Sequence, residues 1–538
     1  VVDTPSVVVV GSGAAGLAAA LAAAGAGADV VVLERAAFVG GTTAMSGGVV
    51  WMPGHGRGAG TGGGDSGEQA LTYLCAAAKG DVDVGLMRAF LSDTARVADE
   101  VEKRTPIEWE VLEHWPDYRG ELPGASAGGR SMWPRPLRLP ARVEQLVQAA
   151  VDQPSPLPVE AAGGTPANDG VVLRGHVRGR ALCGGLLAGV LDAGVQLRTG
   201  ARVASLVTDA EGAVTGVTVE GEVVPGTVVL ASGGFQHDPA LASRFLPGPP
   251  VAALGAPGCS GDGLRMAMAV DAALGNMGEG WWMPSLQVPG ETLDGAPHYR
   301  PLHGERAKPG AIMVDRSGRR FVDEAQNYGD VGRAMRHGHV SQAERGGAPH
   351  PSARSGRPPG PWWLVFDAAY RRRYPVGPLE PGSPDPAWLV RAGDLAALAG
   401  MLGMDPDVLT GAVERFNAGA GRGVDEEFGR GDLPYDRWIG DPGAPHPTLA
   451  PLVEPPFYAA EAHLGCMGTK GGPRTDHHGR VWSASGPVIP GLYAAGNVAA
   501  SPFGSATAAG GATLGPALVF GFRAGEAAAR RPVAGTGR

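Results

Sequence analysis

The chain has 538 residues, 43 % of them hydrophobic, with 88 glycines and 47 prolines, which is ample for a core of two or three structural units joined by many loops. Its formal charge is −9 with no basic tail, which argues against nucleic acid and against an anionic membrane surface. The longest apolar run, Leu17 to Ala24, is too short to span a bilayer, although peripheral membrane contact is left open. Cys75, Cys183, Cys259 and Cys466 form no C-x-x-C pair, so no zinc site or redox dithiol is indicated, and a reducing, cytoplasmic setting without a signal peptide is expected.

Residues 7–35 read as strand, glycine turn, helix and strand. Gly11, Gly13 and Gly16 make G-x-G-x-x-G. Gly11 permits the turn, Gly13 lets backbone approach a pyrophosphate, and Gly16 lets the helix, opened by Ala14 and Ala15, pack on the strand. Free N–H groups at the helix start suit phosphate. Glu34 closes the second strand, followed by Arg35, and is placed to accept from adenosine ribose hydroxyls. The loop from Val39 to Pro53 holds Gly41, Thr42, Thr43, Met45, Ser46, Gly47 and Gly48. A loop of that composition beside a pyrophosphate turn favours FAD over NAD.

Apolar spacing predicts helices over 66–105 and an irregular stretch from His114 to Pro134. A linker is expected over 150–172, then a helix, a strand at Val195, and a hairpin turning at Glu211-Gly212. A strand ends at Gly233-Gly234, and Asp262 stands before a helix as a candidate N-cap. From about 290 the character changes, and Trp281, Trp282, Trp362 and Trp363 are expected to add aromatic surface. Strands near Ala311–Asp315 and Arg320–Phe321 would deliver Tyr328 on a loop, and a strand and helix follow over 361–377. His477 and His478 read as an exposed turn rather than a metal site. The last segment has a strand ending at Gly496-Asn497 and a helix beginning near Gly511 that runs through Thr513 and Leu514 and aims its N-terminus at a flavin.

Taken together, the glycine turn, Glu34-Arg35, GGTTAMSGG, D-Y-x-x-E, E-R-x-x-P-G and L-G-x-x-G-T-K-G-G resemble the flavoprotein family of fumarate reductase flavoprotein subunits and 3-ketosteroid dehydrogenases, nearest to the latter. The resemblance implies FAD, held non-covalently because the loop near Gly41 lacks the histidine of covalent members. It implies backbone contacts from Val203 to adenine, a place for Asp262 near the ribityl chain, and cofactor contacts from Gly468. It also implies Tyr328 as catalytic base, Tyr118 as its relay, and the Gly511 amide on the ketone. The family places a tyrosine where this chain has Thr507, so a smaller pocket, Ser505, water, or a substrate other than a 3-ketosteroid would account for the change.

The expected fold is therefore α/β: a Rossmann-like, glutathione-reductase-type FAD-binding domain with an inserted α+β substrate-capping domain. Residues 1–290 would be its first part, with a helical insertion about 66–150; 291–455 the cap; and 456–538 the second part. The expected activity is introduction of a C=C bond beside the ketone of a steroid or other cyclic substrate, with a separate electron acceptor of unspecified kind. A fumarate-reductase-like ene-reductase is the alternative, weakened by Met467 at a histidine position and by the setting of Arg306. A non-catalytic FAD-binding protein, supported only by Thr507, is the other.

Overall fold

The computed structural model describes residues 6–57, 66–80, 82–147, 177–293, 295–337 and 360–531. The linker expected over 150–172 lies outside the described residues.

Valine runs decide the first sheet. Its strand order is Arg480–Trp482, Val488–Ala494, Thr227–Leu230, Val7–Val10, Val30–Leu33 and Gln196–Arg198, parallel throughout except for the first pair. Val7 and Val9 face the helices Ala14–Gly25, Arg178–Asp192 and Leu514–Ala529. Val8 and Val10 face the three-stranded meander Val203–Thr208, Val214–Val219 and Glu222–Pro225, with the helix Asp262–Ala269. Both faces are covered, which is why an unbroken apolar strand belongs here.

Small residues bring the glycine-turn helix close to its neighbours. A Cβ on Gly16 would lie 2.0 Å from the Gly11 carbonyl oxygen, and one on Gly525 would lie 2.1 Å from that of Ala19. The alanine-rich character of these helices is thus used for close approach. Gly525→Ala is expected to destabilise the fold by about 1–3 kcal/mol through overpacking. Denaturation midpoints of the two proteins, at unchanged FAD content, measure it.

The second large sheet runs Ala296–Pro301, Gly280–Leu293, Phe457–Thr469, Trp362–Phe366 and Ala311–Val314, antiparallel along that path. Alternation splits its core: Ala311 and Met313 pack to one side with Trp282, while Ile312 and Val314 pack to the other, under the helices Leu395–Leu402 and Pro406–Ala420.

Several expectations change here. Strands Gly280–Leu293 and Phe457–Thr469 pair with each other, so boundaries at 291 and 456 do not separate the two sheets; both strands belong to the second. Among the described residues of 66–150, helix covers only Gly67–Ala77, Val84–Arg104 and a short turn at Ala141–Glu144. Their strands Trp109–Val111 and Ser131–Pro134 form a small sheet with Val50–Trp51. Trp281, Trp282 and Trp362 are buried, so they build core and cleft wall rather than surface. Tyr328 opens the helix Tyr328–His337 instead of standing on a loop, and Arg320 makes only an isolated bridge to Val314. No helix among the described residues is long and apolar enough to cross a membrane.

Candidate active site

One long cleft runs from the C-terminal ends of the first sheet to the second sheet. It starts at the glycine turn. Gly11 has φ of +105°, and a Cβ there would strike the Ala231 carbonyl at 2.6 Å, so only glycine makes this turn. Gly13, Ala14 and Ala15 line the cleft; Gly16 does not, because it is spent on packing against Gly11.

Side chains lock the neighbouring loop to that turn. Thr43 Oγ1 accepts from the Ala14 amide at 3.0 Å, and Ser12 Oγ accepts from the Gly40 amide at 3.1 Å. Thr42 Oγ1 accepts from the Ala256 amide at 3.0 Å. The expected loop contains a short helix, Gly41–Met45. Gly41, Thr42, Thr43, Met45, Ser46, Gly47 and Gly48 all line the cleft.

Glu34 stands at one end. Its carboxylate accepts from Ser12 Oγ at 2.5 Å, from the Ser12 amide at 3.1 Å and from the Ala36 amide at 2.9 Å. Val203, Arg35 and Asp262 line the same region. Asp262 does not act as an N-cap: Gly261 holds that position. Its carboxylate takes Arg202 through two bonds, at 2.9 and 3.0 Å, and Arg35 at 3.3 Å. That commitment puts it at the Glu34 end.

The middle of the cleft meets Gly233, Gly496, Asn497, Thr513 and Leu514. The last helix begins at Leu514 rather than Gly511, although the Gly515 amide already donates to the Gly511 carbonyl at 2.9 Å. Gly468 lies behind the wall; a Cβ on it would sit 2.3 Å from Asn497 Nδ2, so it lets Asn497 in rather than lining the cleft.

Two tyrosines stand at the far end. The rings of Tyr118 and Tyr328 meet edge-on with centroids 5.4 Å apart. The Tyr118 hydroxyl favours ionisation of Tyr328, while Tyr328 disfavours that of Tyr118. Asp117 anchors the Tyr118 segment, accepting from Trp51 Nε1, the Ser126 amide and Arg130. Burial pushes Asp117 up to about 6, against the pull of Arg130. Burial also raises Tyr328, opposed by the Tyr118 hydroxyl and by the charge of Arg306. Tyr118 is raised well above the ordinary phenol value by burial and by Tyr328 and Tyr435. Tyr328 is therefore the one of the two whose phenolate is supported.

Gly511 lines this end, and its amide donates to no protein acceptor among the described residues. Thr507 does not line it. Its buried hydroxyl packs where a Cβ on Gly329 would be, 2.4 Å away, and has no hydrogen-bond partner. Lys470 and Arg333 hold the Ser505 carbonyl, Lys470 also holds that of Ala506, and Tyr73 Oη with the Tyr118 amide holds that of Ala508. These tethers draw the segment back, so neither Thr507 nor Ser505 reaches the cleft.

Sequence reasoning passed over Trp115, Met283, Tyr299 and His303, which wall this end with Met467. Burial lowers His303 to about 3, helped by Arg306 and Lys308, so its ring is neutral. The sequence around Tyr299 and His303 carries no motif that names either of them. Cleft-lining cations are Arg35 and Arg202, both beside Glu34. His477 and His478 lie in a turn with their rings together, and no group of metal-binding residues occurs among the described residues.

The cleft fits a dinucleotide with a flat ring: a glycine cradle, a carboxylate and a helix start along one path. The family model of the FAD binding domain matches residues 6–514. The chain is 36 % identical to 4-oxocyclohexanecarboxylate 2-dehydrogenase of Sinomonas cyclohexanicum, over 97 % of this chain and 92 % of that one. It is also 36 % identical to 3-oxosteroid 1-dehydrogenase of Mycobacterium tuberculosis, over 96 % of this chain and 97 % of that one. The solved 3-ketosteroid Δ1-dehydrogenase of Sterolibacterium denitrificans, in complex with 1,4-androstadiene-3,17-dione, superposes with a TM-score of 0.86 at 33 % identity, covering 98 % of this chain and 99 % of that one. With its fold and nearly its whole length shared in this way, the chain belongs to the FAD-binding flavoprotein family, in the branch of the 3-ketosteroid and oxocyclohexane dehydrogenases, and its cofactor is FAD.

Proposed function

We propose that the chain is a dehydrogenase that forms a C=C bond beside the carbonyl of a cyclic ketone, with Tyr328 as base. The observation that carries this reading is the Tyr118–Tyr328 pair, facing the cleft at the end opposite Glu34. FAD bound along the cleft supplies the hydride acceptor. Glu34 would receive the ribose hydroxyls, the amides around Gly13 to Ala15 the pyrophosphate, and the loop from Gly41 to Gly48 with Gly496, Asn497, Thr513 and Leu514 the flavin. The sequence offers no histidine near Gly41 for a covalent link, which supports non-covalent binding.

The second sheet acts as the cap over the ketone, and its segments supply Met283, Tyr299, His303 and Tyr328 to the cleft. The Gly511 amide, free of protein acceptors, would hold the ketone oxygen and make the adjacent C–H acidic. Tyr328 then takes the α proton, and Tyr118 passes a proton onward. Trp115, Met283 and Met467 exclude water from the ring.

Among the described residues the dicarboxylate reading lacks its cations, because Arg35 and Arg202 are at the other end and Met467 lines the tyrosine end. The non-catalytic reading loses its support, because Thr507 is outside the cleft. Anaerobic mixing of the FAD-loaded protein with a panel of 3-ketosteroids and small cyclohexanones is expected to bleach the flavin with at least one ketone. Turnover with an artificial acceptor should follow the same order. Reduction of fumarate-like acids with no ketone oxidation would overturn the reading.

A further inference from the structure

Three stretches far apart in the chain supply the ketone end of the cleft: Tyr118, Tyr328 and residues 505–511. Polar contacts outside the cleft join them in a closed circuit. Arg119 follows Tyr118, and its Nη1 donates to Asp330 Oδ2 at 3.2 Å. Asp330 Oδ1 accepts from Arg333 Nη2, and Arg333 Nη1 donates to the Ser505 carbonyl. Three residues on, the Ala508 carbonyl accepts from the Tyr118 amide at 2.9 Å and from Tyr73 Oη at 2.6 Å. Tyr73 Oη in turn accepts from the Arg119 amide at 3.2 Å, which closes the circuit.

Asp330 is the corner nearest the base. Tyr328 opens the helix Tyr328–His337, and Asp330 stands two residues on, in its first turn. Asn327 Oδ1 accepts from the Asp330 amide at 3.0 Å, as an N-cap does, and Asn327 Nδ2 donates to Asp330 Oδ2 at 2.7 Å. Gly329, between Tyr328 and Asp330, abuts Thr507, since a Cβ on it would lie 2.4 Å from Thr507 Oγ1. Lys470, just past the strand Phe457–Thr469, holds the same segment to the second sheet. Its Nζ donates to the Ser505 and Ala506 carbonyls at 2.7 Å and lies 4.0 Å from the centre of the Trp281 ring. Burial would raise Asp330, but Arg333 and Arg119 bring it down to about 2, so it stays charged. Asp330, Arg119 and Arg333 are all partly exposed, and ion pairs in such places add little stability. A closed circuit of them around three site segments has a different use.

We propose that Asp330 is a positioning residue for the reaction: by pairing with both Arg119 and Arg333 it fixes the separations among Tyr118, Tyr328 and the Gly511 amide. This rests on the reading of Tyr328 as base and of the Gly511 amide as donor to the ketone. In a ring ketone the oxygen and the α C–H lie a set distance apart. A donor on the one and a base on the other must keep a matching separation. The Gly511 end is already fixed, because the Gly510 carbonyl accepts from Ser131 Oγ at 2.8 Å and that of Gly511 from the Trp51 amide at 3.1 Å. Asp330 ties the base to that end through Arg333 and to Tyr118 through Arg119. Cutting this corner leaves Tyr118 on Ala508 and Gly329 on Thr507, so the site loosens without coming apart. Asp330, Arg119 and Arg333 do not line the cleft, so each acts through the residue it holds.

The test uses the FAD-loaded enzyme and the most active ketone of the panel. Asp330→Asn keeps the size of the side chain and is expected to lower kcat about 10–100-fold, with KM within about twofold of wild type. Arg119→Met should lower kcat in the same way, and Arg119→Lys should restore most of it. A double-mutant cycle separates this from a merely structural role. In a Tyr118→Phe background Arg119→Met should cost nothing further in kcat, because the hydroxyl it places is gone. Its effect on the melting temperature should be the same in both backgrounds. If Asp330→Asn does not fold or hold FAD, the Arg119→Met cycle decides. The positioning role alone is overturned, with Tyr328→Phe inactive, by any of three results. These are wild-type kcat in Asp330→Asn and Arg119→Met, an equal cost of Arg119→Met in both backgrounds, or losses confined to KM or melting temperature. Full activity in Tyr328→Phe would instead overturn the assignment of the base.

Discussion

Tyr328→Phe is expected to slow ketone-driven bleaching of the flavin by about 10²–10⁴-fold, the range that loss of a general base spans. Three decades correspond to ~4 kcal/mol of barrier. The ring stays in place, since it is wedged against Tyr118 and His303 with centroids 5.4 and 5.5 Å away. Ketone affinity should therefore hold while the chemical step fails, and a stopped-flow measurement of both separates the two. The sign of the pH dependence follows from the environment. Burial raises Tyr328, so its phenolate is the minority form at neutral pH and the rate climbs as pH rises toward that pKa. The Tyr118 hydroxyl opposes the effect of burial. Tyr118→Phe should thus move the acid limb to higher pH, whereas Tyr328→Phe should erase it. A limb that survives in Tyr328→Phe would belong to another group.

The parts of the fold legible in the sequence are those where a backbone demand selects a residue type. Gly11 must adopt a positive φ, Gly16 must admit a carbonyl, and Val7–Val10 must be apolar on both faces; each leaves a mark at one position. Tyr118 and Tyr328 were legible through the flanking residues that resemble a family, since a tyrosine alone is mute. Position in the cleft was legible less often. Thr507 stands at the expected spacing from Gly511, yet its placement depends on Lys470, Arg333 and Tyr73, which are distant in the chain. Asp262 looked like a cap because its partner Arg202 lies 60 residues away. Strand Gly280–Leu293 begins before the composition changes at about 290, because Trp281 and Trp282 serve cleft and core on opposite sides of one strand. Tyr435 carries no local signal; only the fold brings its ring to Tyr118.

Gly13→Val is expected to give a folded protein that no longer holds FAD. The two demands on glycine in this turn can be told apart. Gly13 has φ of −72°, which any residue adopts, and a Cβ on it would meet nothing nearer than Thr43 Oγ1 at 3.5 Å. The apo fold therefore accepts a side chain. What it closes is the approach of backbone to pyrophosphate, where two added methyl groups overpack a contact made only with the cofactor. A loss of about 3 kcal/mol, at the upper end of overpacking costs, weakens FAD by about a hundredfold. Gly16→Val differs in kind, because its Cβ would lie 2.0 Å from the Gly11 carbonyl and the strand–helix contact itself must open. Melting curves with and without added FAD distinguish the cases. Wild-type protein gains stability as free FAD exceeds its Kd, through preferential binding to the folded state. Gly13→Val should match the wild-type apo midpoint and stay there as FAD is added, while Gly16→Val should start lower. An apo Gly13→Val midpoint well below wild type would mean that Gly13 serves the turn rather than the cofactor.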